Sequence, residues 1–174
     1  VTLQDGSSVK VDDDYLRDRA TDIRDVTRRI LRSLMGGGGD LLAGLESPRV
    51  LVSRQGRLGA YADSLERPAA RILRRVGHEL GLSGRHELSL VLCDNPRLRT
   101  LNRRWRGKDA PTDVLSFPLY DLRPGQPLPD GALGDLVISL PTTRRAAESE
   151  KLTVEAHLEH LLVHGLLHLL GFDH

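Results

Sequence analysis

The chain has 174 residues, 39% of them apolar and 28% charged, with a formal net charge of +1. Such a composition gives a globular chain with one proper core and room for an appendage. It excludes disordered and fibrous classes, and its near-zero net charge leaves any nucleic-acid role to local clusters. No apolar run is long enough to cross a bilayer, so no membrane partner is expected. The single Cys93 excludes an internal disulfide and suits a reducing, cytoplasmic setting.

Residues 1–48 read as a helical extension set apart from the rest. Their acidic start, with Asp12, Asp13 and Asp14, does not read as a signal peptide. Asp14 to Met35 is expected to form one amphipathic helix with Leu16, Ala20, Ile23, Val26, Ile30, Leu31 and Leu34 on a stripe. Acidic residues at its start and Arg28, Arg29 and Arg32 near its end suit the helix dipole. Gly36 to Gly39 stops it. Tyr15 to Ala20 and Asp22 to Val26 resemble a helical stretch of phosphotransferase-system enzyme I. The phosphorylated His segment of that family has no counterpart here. The resemblance therefore implies a fused fragment or a misplaced gene start, and no activity.

From Arg49 the pattern alternates between strands and helices. Arg49 to Ser53 reads as a short strand and Arg54 to Arg57 as a turn. A helix is expected from Glu66 to Leu80, with Pro68 in its first turn, Ala69, Ile72, Leu73 and Val76 on its apolar face, and Gly81 ending it. His78 and His86 read as surface or packing residues. Glu87 to Cys93 is the next strand. Asn95 is expected to cap a helix that has Pro96 at its first position, runs to Trp105, and buries Leu98 and Leu101. Arg97, Arg99, Arg103, Arg104, Arg106 and Lys108 crowd that helix and the loop behind it. Beside a metal site such a cluster reads as a phosphate footprint, with Arg103, Arg104 and Lys108 as the RNA-contact candidates. Gly107 and Pro111 make a tight loop that can hold Arg106 at a sheet edge, and Thr112 and Asp113 either cap that turn or belong to the site.

Val114 to Phe117 reads as a strand, Tyr120 to Gly131 as a loop, Leu133 to Ser139 as a strand and Pro141 to Glu150 as a polar helix. Thr153 caps the final helix. The expected fold is α+β: a small mixed sheet of four strands, near Val50, Leu90, Leu115 and Val137, packed with helices, the long final helix being central.

The end of that helix carries the chemistry. His164 and His168, four residues apart, lie on one helical face about one turn apart. Leu161, Leu162, Val163, Leu166, Leu167, Leu169 and Leu170 make the helix apolar nearly all round, so it should be buried. Two imidazoles there lose hydration unless something compensates. Gly171 ends the helix and lets His174 swing back towards the pair. Three imidazoles with one open position is the pattern of a catalytic zinc site, with one Zn²⁺ per chain. His157 and His160 lie on the same side and read as packing groups rather than ligands.

The segment His164-Gly165-Leu166-Leu167-His168-Leu169-Leu170-Gly171-Phe172-Asp173-His174 resembles the signature of the YbeY family, metal-dependent endoribonucleases of rRNA maturation. Asn102 through Arg106 to Pro118, with Pro111-Thr112-Asp113-Val114-Leu115-Ser116-Phe117, matches a second signature of that family. Gly134-Asp135-Leu136-Val137-Ile138 is similar to a third. The resemblance covers residues 49–174, which stop at the third His where the family pattern continues. It implies His164, His168 and His174 as metal ligands and Arg106 as the functional arginine. It also implies cleavage of single-stranded rRNA in 16S rRNA 3′-end maturation and ribosome quality control, with rRNA and the small ribosomal subunit as partners. Asp113, Asp135 or the 2′-hydroxyl of the substrate are candidates for the proton acceptor or nucleophile. A zinc peptidase shares the His pair, but its Glu would stand where this chain has Gly165. A non-catalytic zinc protein of ribosome assembly is the other alternative.

Overall fold

The computed structural model describes residues 47–172; the expected helix Asp14–Met35 and His174 lie outside the described residues. The elements run β1 (Arg49–Gln55), α1 (Tyr61–Glu79), β2 (His86–Cys93), α2 (Asn95–Arg106), β3 (Val114–Pro118), β4 (Gly131–Ser139), α3 (Leu140–Glu150) and α4 (Val154–Leu169). The four strands form one sheet in the order β1-β2-β4-β3. The first three are parallel and β3 is antiparallel to β4, so the sheet is mixed and the fold α+β.

The two faces of the sheet are covered unequally. Leu88, Leu90 and Leu92 of β2 and Leu136 and Ile138 of β4 point into the main core. There they meet Ala62, Leu65, Ala69, Leu73 and Val76 of α1 and Leu158, Leu162, Leu166 and Leu169 of α4. The helical residues recur at three- and four-residue spacing and the strand residues at two, as half-buried elements require. On the opposite face a smaller cluster joins Cys93, Leu115 and Val137 to Leu98 of α2. Helix α4 packs on α1, α3, β3 and β4, which makes it the central helix, although α1 is longer at 19 residues against 16.

Three local expectations are corrected. First, α1 starts at Tyr61 rather than Glu66, so Pro68 sits inside the helix and not in its first turn. The missing N–H and ring clash of an interior proline cost roughly 3 kcal/mol; the extra turns bury Ala62 and Leu65 in return. Arg54 pairs with Asp63 and, at 2.7 Å, with Glu66, which ties the end of β1 to the start of α1 and carries the strand through Gln55. Second, the N-cap of α2 is Asp94, whose carboxylate accepts from Arg97 N at 3.1 Å; Pro96 is then the second helical residue. Third, Asn95 instead accepts from the Ser139 and Thr142 hydroxyls, joining the start of α2 to the start of α3.

Candidate active site

The site forms where α2, β3 and α4 meet at the edge of the sheet. Two glycines allow that meeting. A Cβ on Gly165 would lie 2.8 Å from Leu136 Cδ2 and 3.2 Å from Ser116 Oγ, so its absence lets α4 press onto β3 and β4. Gly171 has φ +82°, and a Cβ there would lie 2.0 Å from the Leu122 carbonyl oxygen. The end of the His helix thus packs directly on the backbone of the loop after β3.

The surface between these elements opens into a cavity of about 710 Å³, lined by Arg106, Ser116, Asp121, His164 and His168 among others. His164 Nε2 and His168 Nε2 lie 3.2 Å apart with ring planes at 85°. Two nitrogens each ~2.0–2.1 Å from a tetrahedral zinc lie roughly 3.3 Å apart, so the pair fits the ion expected from its spacing. Among the described residues no third His, Cys, Asp or Glu completes a ligand set. The third sequence candidate, His174, lies outside the described residues.

Arg106 reaches the cavity from the last turn of α2, and the turn behind it is fixed at three points. Gly107 takes the left-handed conformation at φ +68° and ends the helix. The buried Asn102 amide donates to the Ala110 carbonyl at 2.8 Å. Arg99 meets Asp109 through two parallel bonds of 2.8 and 2.9 Å. That hydrogen-bonded fork holds the Asp109 carboxyl below the usual carboxylate range and raises the Arg99 guanidinium. Arg99 is therefore part of the loop's architecture, and Arg97 likewise donates to Gln55 at 2.7 Å. Both are exposed and neither lines the cavity. Arg103, Arg104 and Lys108 are exposed around the same turn but do not line the cavity.

The candidate carboxylates separate by position. Asp113 Oδ1 accepts from Val114 N at 2.8 Å and from the Thr112 hydroxyl at 3.2 Å, so both residues shape the turn. Asp113 also lines a second cavity of about 360 Å³ with Glu150, His157 and His160; this cavity shares Val114 and His164 with the first. Asp135 pairs with Phe117 in the sheet and shares its face of β4 with Val137, two residues on, which faces α2; it is thus turned from the His helix. His157 is buried and its Nδ1 lies 3.1 Å from Glu150 Oε2, a packing role that joins α4 to α3. His86 Nδ1 accepts from Ser83 N at 2.9 Å, also as a packing residue.

Sequence reasoning missed Trp105, Tyr120, Asp121 and Phe172 as cavity residues. The aromatic ones carried a signal. The chain has only one Trp, three Tyr and two Phe, and four of these six side chains line this cavity.

Comparison with known proteins identifies the family of the chain. The family model described as Endoribonuclease YbeY matches residues 53–174. The chain is 53% identical over 111 residues to Endoribonuclease YbeY of Anaeromyxobacter sp. (strain Fw109-5), covering 62% of this chain and 56% of the relative. It is 45% identical over 118 residues to Endoribonuclease YbeY of Sinorhizobium medicae (strain WSM419), covering 67% and 69%. The chain thus spans between about half and two thirds of these relatives' length. Among solved structures, the solution structure of TM1509 from Thermotoga maritima is 25% identical, covering 71% of this chain and 75% of that one, with a TM-score of 0.45. The matched region holds the His pair, the Arg106 turn and all of β3, and the chain belongs to the YbeY family.

Proposed function

We propose that this cavity is the active site of a metal-dependent endoribonuclease acting on single-stranded rRNA, in 3′-end maturation of the small-subunit rRNA and ribosome quality control. The small ribosomal subunit is then its partner. The observation that supports this reading is the convergence of Arg106, His164 and His168 on one open cavity. His164 and His168, with His174 as the third donor, would hold Zn²⁺, which when bound lowers the pKa of a coordinated water to about 7 and polarises a phosphoryl oxygen.

The chain's own residues supply the rest. Arg106, on a turn fixed by Gly107, Asn102 and Asp109, presents a planar cation to the non-bridging oxygens, where charge grows in the transition state. The imidazoles of His164 and His168 face one another across the cavity wall and orient what binds between them. Among the described residues Asp121 is the carboxylate lining the same cavity, while the Oδ1 oxygen of Asp113 is engaged by its own turn. The 2′-hydroxyl of the substrate is then an available nucleophile.

The peptidase alternative loses support at Gly165. That position packs against Leu136 and Ser116, with no room for the glutamate a zinc peptidase needs there. The test is single-turnover incubation of the zinc-loaded chain with an unpaired rRNA fragment and, separately, with a peptide. Zinc-dependent RNA cleavage is expected. Peptide cleavage with the RNA left intact would replace this reading with the peptidase one.

A further inference from the structure

Trp105 precedes the arginine of the site and is 62% exposed, unusually open for the largest apolar side chain a protein has. Its ring is nonetheless held in place: Phe117 of β3 meets it in a T-shaped contact at 6.0 Å between centroids, and the Arg104 guanidinium sits 5.4 Å from the indole centroid. Tyr120, 40% exposed, lines the same cavity from the loop after β3. A chain with so few aromatic residues has placed two open rings in the lining of one cavity, beside a turn of exposed cations. Isolated apolar exposure is ordinary, but a held aromatic among Arg103, Arg104, Arg106 and Lys108 is the composition of a platform for unpaired bases.

We propose that Trp105 is a base-stacking subsite, which takes one unpaired nucleobase of the RNA strand whose phosphate Arg106 receives. The inference rests on the nuclease reading and adds to it the source of selectivity. Phosphate contacts are blind to pairing, whereas a base buried in a duplex stack cannot lie on the indole. The surrounding arginines and Lys108 supply strand attraction, and the indole then admits the strand only where a base is free. Tyr120, in the lining of the same cavity, provides a second and weaker ring.

Trp105 is the only tryptophan of the chain, so its fluorescence reports this subsite alone. The test titrates the full chain with a short unpaired RNA oligonucleotide carrying 2′-O-methyl groups, with the same sequence as a duplex, and with polyphosphate. Quenching is expected with the unpaired strand and not with the other two, although both should compete for the cationic surface. Trp105→Ala should weaken binding of the unpaired strand by roughly five- to 150-fold and leave polyphosphate affinity unchanged. Trp105→Tyr should restore most of the loss, and Tyr120→Ala should have a smaller effect in the same direction. Binding of the unpaired strand without a fluorescence change, or equal losses for strand and polyphosphate in Trp105→Ala, would overturn the stacking subsite and leave the nuclease reading standing. No binding of any RNA by the wild-type chain would overturn both.

Discussion

The Ser116 hydroxyl, on β3, donates to the main-chain carbonyl of Gly165, on α4, at 3.1 Å. This bond latches the edge strand to the His helix midway along the cavity, beside the glycine that permits their close approach. Gly165→Ala gains up to about 1 kcal/mol of helix propensity. It also forces Leu136 and Ser116 aside, and overpacking of this kind costs about 1–3 kcal/mol. A net loss of about 1 kcal/mol is expected by urea denaturation, and a stabilised variant would show that the helix and strand are less tightly apposed. Ser116→Ala should lose ~0.5–1 kcal/mol, since the carbonyl keeps its helical partner.

Protein purified without added metal should carry about one zinc ion per chain by elemental analysis, as a three-His site does. The triple variant His164→Ala, His168→Ala, His174→Ala should carry none. Undiminished metal in that variant would place the ion elsewhere.

Arg106→Lys separates binding from chemistry. An ammonium keeps the charge but not the planar fork, and Arg103, Arg104 and Lys108 still attract the strand. RNA affinity should change little, while single-turnover cleavage should fall on the order of a hundredfold. Equal small losses in both would mean that the arginine only binds.

Cys93 is fully buried between β2 and α2, and burial, with the neighbouring Asp94 charge, pushes its thiol up to about 12. An unfolded thiol ionises near 8.5. Between these values the unfolded chain binds fewer protons than the native one, so this group makes stability fall as pH rises. At pH 8 the native chain should resist iodoacetamide, and urea-unfolded chain should take up one equivalent, as the single Cys of the sequence requires. Rapid native labelling would mean the strand end opens readily.

A chain starting at Pro48 should fold and take up metal as the full chain does. Pro48 is buried, and its Cγ comes within 2.8 Å of where a Cβ on Gly77 would stand, so the folded unit already includes it. Aggregated or metal-free protein would make residues 1–47 part of the core.

The sequence made the elements legible because each buries one face at its own period. Leu88, Leu90 and Leu92 alternate along β2, and Ile72, Leu73 and Val76 recur along α1. The His pair and the Gly107 turn were equally local, and both were readable. Asp94 and Asn95 are equally good caps, however, and Pro96 suits either the first or second helical position; only the tertiary partners Ser139 and Thr142 decide between them. Arg99 and Asp109 are ten residues apart, a spacing that matches no helical or strand period. Trp105, Tyr120 and Asp121 reach one cavity because β3 pairs outside β4, and strand order is not written in any local pattern.

That strand order has a kinetic consequence. Among the described residues β2 is flanked on both sides, whereas β3 is paired on one side only. Amide protons of β2 can exchange with solvent only when the whole sheet comes apart, while those of β3 exchange through a smaller opening that leaves the main core intact. Hydrogen-exchange rates should therefore rank β3 well ahead of β2. The cleft is carried by an edge strand, which can lift away and return, so a flexible polymer can thread past it at the expense of a local fluctuation rather than of the fold.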